Sequence, residues 1–141
     1  MTKKLSLLAL LAAAFLLAAC AGSTGPQEIL VSAKAMQYQP ATFEVTAGQS
    51  VRLTFRNDDA VEHDLSVMEF PMSHMGATQE PMAGHDMGAM TVDPELHMAA
   101  AVGGSGVLEF TPSKPGTYEF FCTVAGHKEA GMVGTLTVRA P

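Results

Sequence analysis

Tyr118-Glu119-Phe120-Phe121-Cys122-Thr123-Val124-Ala125-Gly126-His127-Lys128-Glu129-Ala130-Gly131-Met132-Val133-Gly134-Thr135-Leu136-Thr137-Val138 consists of two apolar, β-favouring runs joined by a loop of small residues. Runs of this length and composition predict strands. The loop between them carries a thiol, an imidazole and a thioether at C-x4-H-x4-M spacing. Such donors suit a metal that alternates between two charges. Copper, as Cu+ and Cu2+, is held by two His and one Cys in a trigonal set with a weak axial Met. Because both oxidation states tolerate that set, an electron leaves with little rearrangement. Cys122, His127 and Met132 supply three of the four ligands, so the second imidazole must come from elsewhere in the chain. His63 is the candidate: it follows Asn57-Asp58-Asp59-Ala60-Val61-Glu62, where a turn gives way to a strand bearing Leu65 and Val67.

Cys122 also has plainer readings, as a buried inert thiol or a thiol nucleophile, but neither needs a methionine at ligand spacing. Zinc accepts Cys and His and has little use for a thioether. The chain has two cysteines, and Cys20 sits in an N-terminal leader. Cys122 is then alone in the domain, with no partner for an internal disulfide. An unpaired thiol in an exported protein calls for burial or a ligand role.

Outward from the loop, short alternating or β-branched runs are separated by turn residues. Ile29 and Val31 alternate, Phe43 and Val45 precede Ala47-Gly48-Gln49, and Val51, Leu53 and Phe55 precede Asn57-Asp58-Asp59. Val107 to Phe110 leads into the turn Thr111-Pro112-Ser113-Lys114-Pro115-Gly116. The pattern predicts an all-β antiparallel sandwich with no competing helix. Residues 68–98 break it, with methionine at 68, 72, 75, 82, 87, 90 and 98 and histidine at 74, 85 and 97. This tract has no sustained period and reads as a long Met/His-rich surface excursion, with a strand returning at Leu96 to Ala101. Thioethers favour Cu+ and imidazoles suit Cu2+, so Met72, His74, Met75, Met82, His85, Met87 and Met90 are candidates for a secondary, labile copper. The alternative is an adaptable apolar surface or an oxidant sink. His97 belongs with the returning strand as a structural histidine.

The N-terminus has Lys3 and Lys4, an apolar run from Leu5 to Ala19 interrupted by Ser6, and then Cys20. A spanning helix usually needs about 20 apolar residues, so this is an export signal. Leu17-Ala18-Ala19-Cys20 resembles the lipobox of bacterial lipoproteins, which implies a signal over residues 1–19 and a lipid on Cys20. Residues 20–26 then form a lipidated tether and 27–141 the domain. Lipid chains on one cysteine supply the multiple anchoring that stable membrane attachment requires. The chain has 8 Lys and Arg against 14 Asp and Glu, and two of the cations fall in the leader. Such acidity argues against nucleic acid and favours protein partners with basic docking surfaces.

Taken together, Phe43 to Gly48, the Asn57 to Asp64 turn, Thr111 to Phe121 and the loop running into Val138 resemble the cupredoxins. These are plastocyanin- and azurin-like blue copper proteins, and within them the chain resembles the auracyanin-like bacterial members. The resemblance covers about Gln27 to Val138. It implies a Greek-key β-sandwich, one type 1 copper, and the ligand set His63, Cys122, His127 and Met132. It also implies that Asp64 ties the ligand segments together through hydrogen bonds. Ala125 departs from the proline that many relatives carry before Gly-His, a change that removes no ligand. The implied activity is single-electron transfer between extracytoplasmic redox proteins by a monomer. With four protein ligands no position stays open for substrate, so this is a carrier and not an enzyme. The exit would be His127, in an apolar patch with Val124, Ala125 and Ala130. A copper-trafficking or storage role for the Met/His tract is the alternative.

Overall fold

A computed structural model describes residues 25–77 and 93–141. The leader, Cys20 and most of the tether lie outside the described residues, as do Met82, His85, Met87 and Met90. Among the described residues every regular element is a strand. They are β1 (Gln27–Lys34), β2 (Gln37–Gln39), β3 (Thr42–Thr46), β4 (Val51–Asn57), β5 (His63–Val67), β6 (Met72–Ala77), β7 (Leu96–Ala100), β8 (Ser105–Pro112), β9 (Gly116–Phe121) and β10 (Val133–Arg139).

The strands form two five-stranded sheets, ordered β2-β1-β4-β8-β6 and β3-β10-β9-β5-β7. From β2 to β9 the chain changes sheet at every connection, as a Greek-key sandwich does. Alternation drives the packing. In β4, Val51, Leu53, Phe55 and Asn57 are buried while Arg52 and Arg56 are exposed, and β8 alternates in the same way. The inward faces meet around Val31, Leu53, Phe55, Phe110, Phe120 and Leu136. Burying each such side chain is worth roughly 1.5–3 kcal/mol. Phe120 takes Tyr38 edge-on at 4.9 Å and Phe43 at 5.4 Å. Gly134 is required beside this cluster, since a Cβ there would come within 2.1 Å of the Phe120 ring and 2.7 Å of the Ala41 carbonyl.

Three features differ from the reading of the sequence. The sandwich is mixed, because β1 runs parallel to β4 and β3 parallel to β10; alternation reports which face is buried but not the direction of the neighbouring strand. A short β2 also pairs with β1 across a two-residue turn. In that turn Ala35 and Met36 have φ of 52° and 60°, a conformation usually reserved for Gly or Asn, so its sequence hides it. Finally, the surface excursion does not run from 68 to 98. Met72 to Ala77 form edge strand β6 on β8, with a register shift between Met72 and His74, so β8 imposes a strand on residues of weak β-propensity. On either side of this strand the chain is anchored. Phe70 is fully buried and packs edge-on against Phe110 and Tyr118. The Phe70 amide donates to the Glu95 carboxylate at 2.5 Å, and Glu95 donates to the Met68 carbonyl at 3.1 Å.

β5 breaks the alternation: all five of its residues are buried, including His63, Asp64 and Ser66. Buried polar groups of this kind need specific partners. Those partners form the site described next.

Candidate metal centre

β5 and β9 are neighbours, with Ser66 opposite Phe121. The start of β5 therefore lies beside the end of β9, and His63 meets Cys122 across 59 residues of sequence. Cys122 Sγ is 3.9 Å from His63 Nδ1 and 3.4 Å from His127 Nδ1. One donor atom from each of the three residues lies within 4.8 Å of the others. The two imidazole centroids are 5.0 Å apart with planes inclined at 54°. His63 and Cys122 are buried and His127 is partly exposed.

The loop that brings Cys122, His127 and Met132 together is closed by its own backbone. His127 N–H donates to Val124 O at 3.0 Å, Ala130 N–H to Gly126 O at 3.0 Å, and Gly131 N–H to Lys128 O at 2.9 Å. Met132 N–H donates to His127 O at 2.9 Å, and Cys122 N–H donates to Met132 O at 3.2 Å. Gly126 and Gly131 take φ of 82° and 95°, which only glycine adopts freely. Met132 is fully buried. Ala125 and Ala130 are exposed near His127, while Val124 is half-buried against the core.

Asp64 joins this loop to the sheet. Its carboxylate accepts Thr123 N–H at 2.9 and 3.1 Å, the Thr123 hydroxyl at 2.7 Å and the Ser66 hydroxyl at 3.0 Å. Tyr38 donates its hydroxyl to the Asp64 carbonyl at 2.5 Å. On the other side Asn57, fully buried, donates from Nδ2 to Val61 O at 2.7 Å and Ala100 O at 2.9 Å, and accepts Asp59 N–H at 2.9 Å. Asp59 reaches His63 Nε2 at 3.3 Å. The sequence marks Asn57 and Asp59 only as turn formers and gives no sign of Tyr38 or Thr123. The available signal is that Asn and Asp side chains bond nearby backbone just ahead of a ligand-bearing strand. His97 lies outside the His/Cys/His group, with Nδ1 2.8 Å from Ser66 Oγ. Met72 and Met75 lie on β6 in the opposite sheet, Met72 against the core and Met75 exposed.

The electrostatics suit a soft cation. Burial pushes the Cys122 thiol up to about 11, with the Asp64 charge adding to it. Without a cation the sulfur therefore stays protonated at neutral pH, and a bound metal would take the place of that proton. Burial lowers the pKa of His127, which favours the neutral imidazole that can ligate. One thiol and two imidazoles fit copper and do not fit hard cations such as Mg2+ or Ca2+, which take oxygen ligands.

Comparison with known proteins points the same way. The chain is 38% identical over 111 residues to the copper-resistant cuproprotein CopI of Rubrivivax gelatinosus, covering 78% of this chain and 64% of that protein. It is 32% identical over 120 residues to auracyanin-B of Chloroflexus aurantiacus, covering 79% of this chain and 51% of that protein. The chain thus spans less than two thirds of the length of either relative. Among solved structures, reduced auracyanin from the photosynthetic bacterium Roseiflexus castenholzii superposes with a TM-score of 0.59 at 25% identity, covering 81% of this chain and 98% of that one. Residues 7–138 match the family described as a cupredoxin-like domain. With its two-sheet Greek-key fold and its His/Cys/His cluster at the junction of β5 and β9, the chain belongs to the copper-binding cupredoxins.

Proposed function

We propose that the protein is a type 1 copper electron carrier whose metal would be held by His63, Cys122 and His127, with Met132 as a weaker fourth ligand. The observation that carries this reading is the convergence of the three donor atoms within 4.8 Å. Copper would supply a one-electron Cu+/Cu2+ couple. The protein fixes the positions of the donors: β5 holds His63 within the sheet, Asp64 ties β5 to Thr123, and the loop's backbone bonds hold His127 and Met132. A site fixed in this way changes little between oxidation states. His127, partly exposed beside Ala125 and Ala130, is the edge through which the electron leaves. Glu62 and Glu129 are exposed on the two ligand-bearing segments and suit redox partners with basic faces. The leader and Cys20 support an extracytoplasmic, lipid-anchored location for this carrier.

The test is the spectrum of the purified protein loaded with Cu2+. An intense visible band from thiolate-to-copper charge transfer is expected in the wild type and none in Cys122→Ser, with the fold retained. A folded wild type that takes up zinc but gives no such band with copper would end the assignment.

The similarity to a copper-resistant cuproprotein favours a second reading, in which the chain handles copper as cargo. Met72, His74, Met75, Met82, His85, Met87 and Met90 would then bind additional copper. One tight copper per chain supports the carrier, and a count that falls when residues 72–90 are deleted supports the trafficker.

A further inference from the structure

The two imidazoles of the site are held differently, and the difference lies in Asp59. Its carboxylate is fixed by backbone on both oxygens: Oδ1 accepts the Ala60 amide at 2.8 Å and Oδ2 accepts the Met36 amide at 2.9 Å. The Asp59 amide in turn donates to Asn57 Oδ1 at 2.9 Å. The Met36 amide comes from the β1–β2 turn, in which Ala35 and Met36 both hold the left-handed conformation. With the carboxylate anchored at these points, Oδ2 lies 3.3 Å from His63 Nε2, and the His63 side chain has no exposure to water. A carboxylate held by amide donors is an acceptor, so the proton between the two residues sits on Nε2. That leaves the Nδ1 lone pair free on the side facing Cys122 Sγ. Among the described residues His127 has no carboxylate within ion-pair distance.

We propose that Asp59 is the positioning residue of the site: it locks His63 into the Nε2–H tautomer with Nδ1 presented to the metal, and its negative charge biases the centre toward the oxidised cation. The proposal rests on the copper reading above for its second half and on the metal-free geometry alone for its first. A carboxylate on the non-ligating nitrogen of a metal-binding histidine fixes the ring and raises its basicity. The same charge stabilises Cu2+ more than Cu+, since the extra positive charge of the oxidised ion is what it attracts. The β1–β2 turn thereby becomes part of the metal site although it contributes no ligand.

The first measurement is the 15N spectrum of the histidines in the metal-free, folded protein. His63 is expected as the Nε2–H tautomer in the wild type and as a mixture in Asp59→Ala. A wild-type His63 protonated on Nδ1 would overturn the proposal even if no Asp59 variant folded. The second is the reduction potential of the copper-loaded protein. Asp59→Asn should keep the charge-transfer band, raise the potential and weaken Cu2+ binding by roughly 10–100-fold. Glu62→Gln removes an exposed charge next to His63 in sequence without touching its ring, and its shift should be clearly smaller. A folded Asp59→Asn with the wild-type potential, or with a shift no larger than that of Glu62→Gln, would reduce Asp59 to a turn former. Failure of the wild type to show any copper band defeats the copper reading instead, and the tautomer measurement separates that failure from this one.

Discussion

The two segments that meet at the site are built in opposite ways. His63 begins a strand buried along its whole length, and the polar side chains of Asn57, Asp59, Asp64 and Ser66 bond to the residues around it. His127 sits on a loop in which Ala125, Gly126, Lys128, Glu129 and Ala130 are exposed; main-chain bonds close the loop around His127, and side chains hold it where Thr123 meets Asp64 and Lys128 meets Glu119. One imidazole belongs to the sandwich and the other to its surface. The proposed electron-carrier role would use both: a fixed half that preserves geometry, and an outer half thin enough for an electron to cross.

Removing each histidine tests this contrast most severely. His63→Ala and His127→Ala should both abolish the charge-transfer band. Added imidazole should restore it only in His127→Ala, where the gap opens toward solvent; the lost His63 side chain has no exposure. Rescue of His63→Ala, read by titrating imidazole against the visible spectrum, would show that the buried half is not closed. The next largest effect falls on the wiring. Asn57→Ala removes three side-chain hydrogen bonds at a fully buried position. It should cost about 2–4 kcal/mol in a denaturant titration. An exposed-loop change such as Ala130→Ser should stay within about 0.5 kcal/mol.

Cys122 lies between the halves and gives a pH signature. Burial pushes its thiol up to about 11, above the range of a free cysteine, so the neutral thiol is favoured by folding. The stability this contributes to the metal-free protein is complete below pH 9 and lost as pH rises toward 11. It amounts to roughly 2 kcal/mol. Stability measured against pH in wild type and Cys122→Ser should diverge over that window, with the wild type falling more steeply. Parallel curves would mean that the thiol is not held in a desolvated pocket. The smallest change is expected at Met132, since a thioether in such a ligand set would bind copper weakly. Met132→Leu should retain copper and raise the potential, because losing a donor destabilises Cu2+ more than Cu+. Loss of copper as complete as in Cys122→Ser would make Met132 an equal ligand.

How much of this was legible varies along the chain. Cys122, His127 and Met132 could be read together because one short loop holds all three at fixed spacing. The strands could be read because alternation is local: Val51, Leu53 and Phe55 face one way whatever lies opposite. β6 was not, because Met72 to Ala77 form a strand only where β8 offers a free edge. β2 was not, because its turn uses Ala35 and Met36 where glycine or asparagine would have announced it. Nor was Asp59, a turn residue until the Met36 amide and the His63 ring approach it from distant parts of the chain.

By itself, then, the sequence determined the all-β character, one ligand loop with its donor chemistry, and the acidity of the chain, all of which depend on residues close together or on composition. Tertiary structure alone decided the parallel pairs β1/β4 and β3/β10 and the bonds of Asn57 and Asp59; the meeting of His63 with Cys122 and the bonds of Asp64 were expected only through the family resemblance, and packing sets their geometry. The physical reason is that hydrogen bonds between strands and the burial of polar side chains depend on which distant segment lies alongside, and that choice is made by packing the sandwich as a whole.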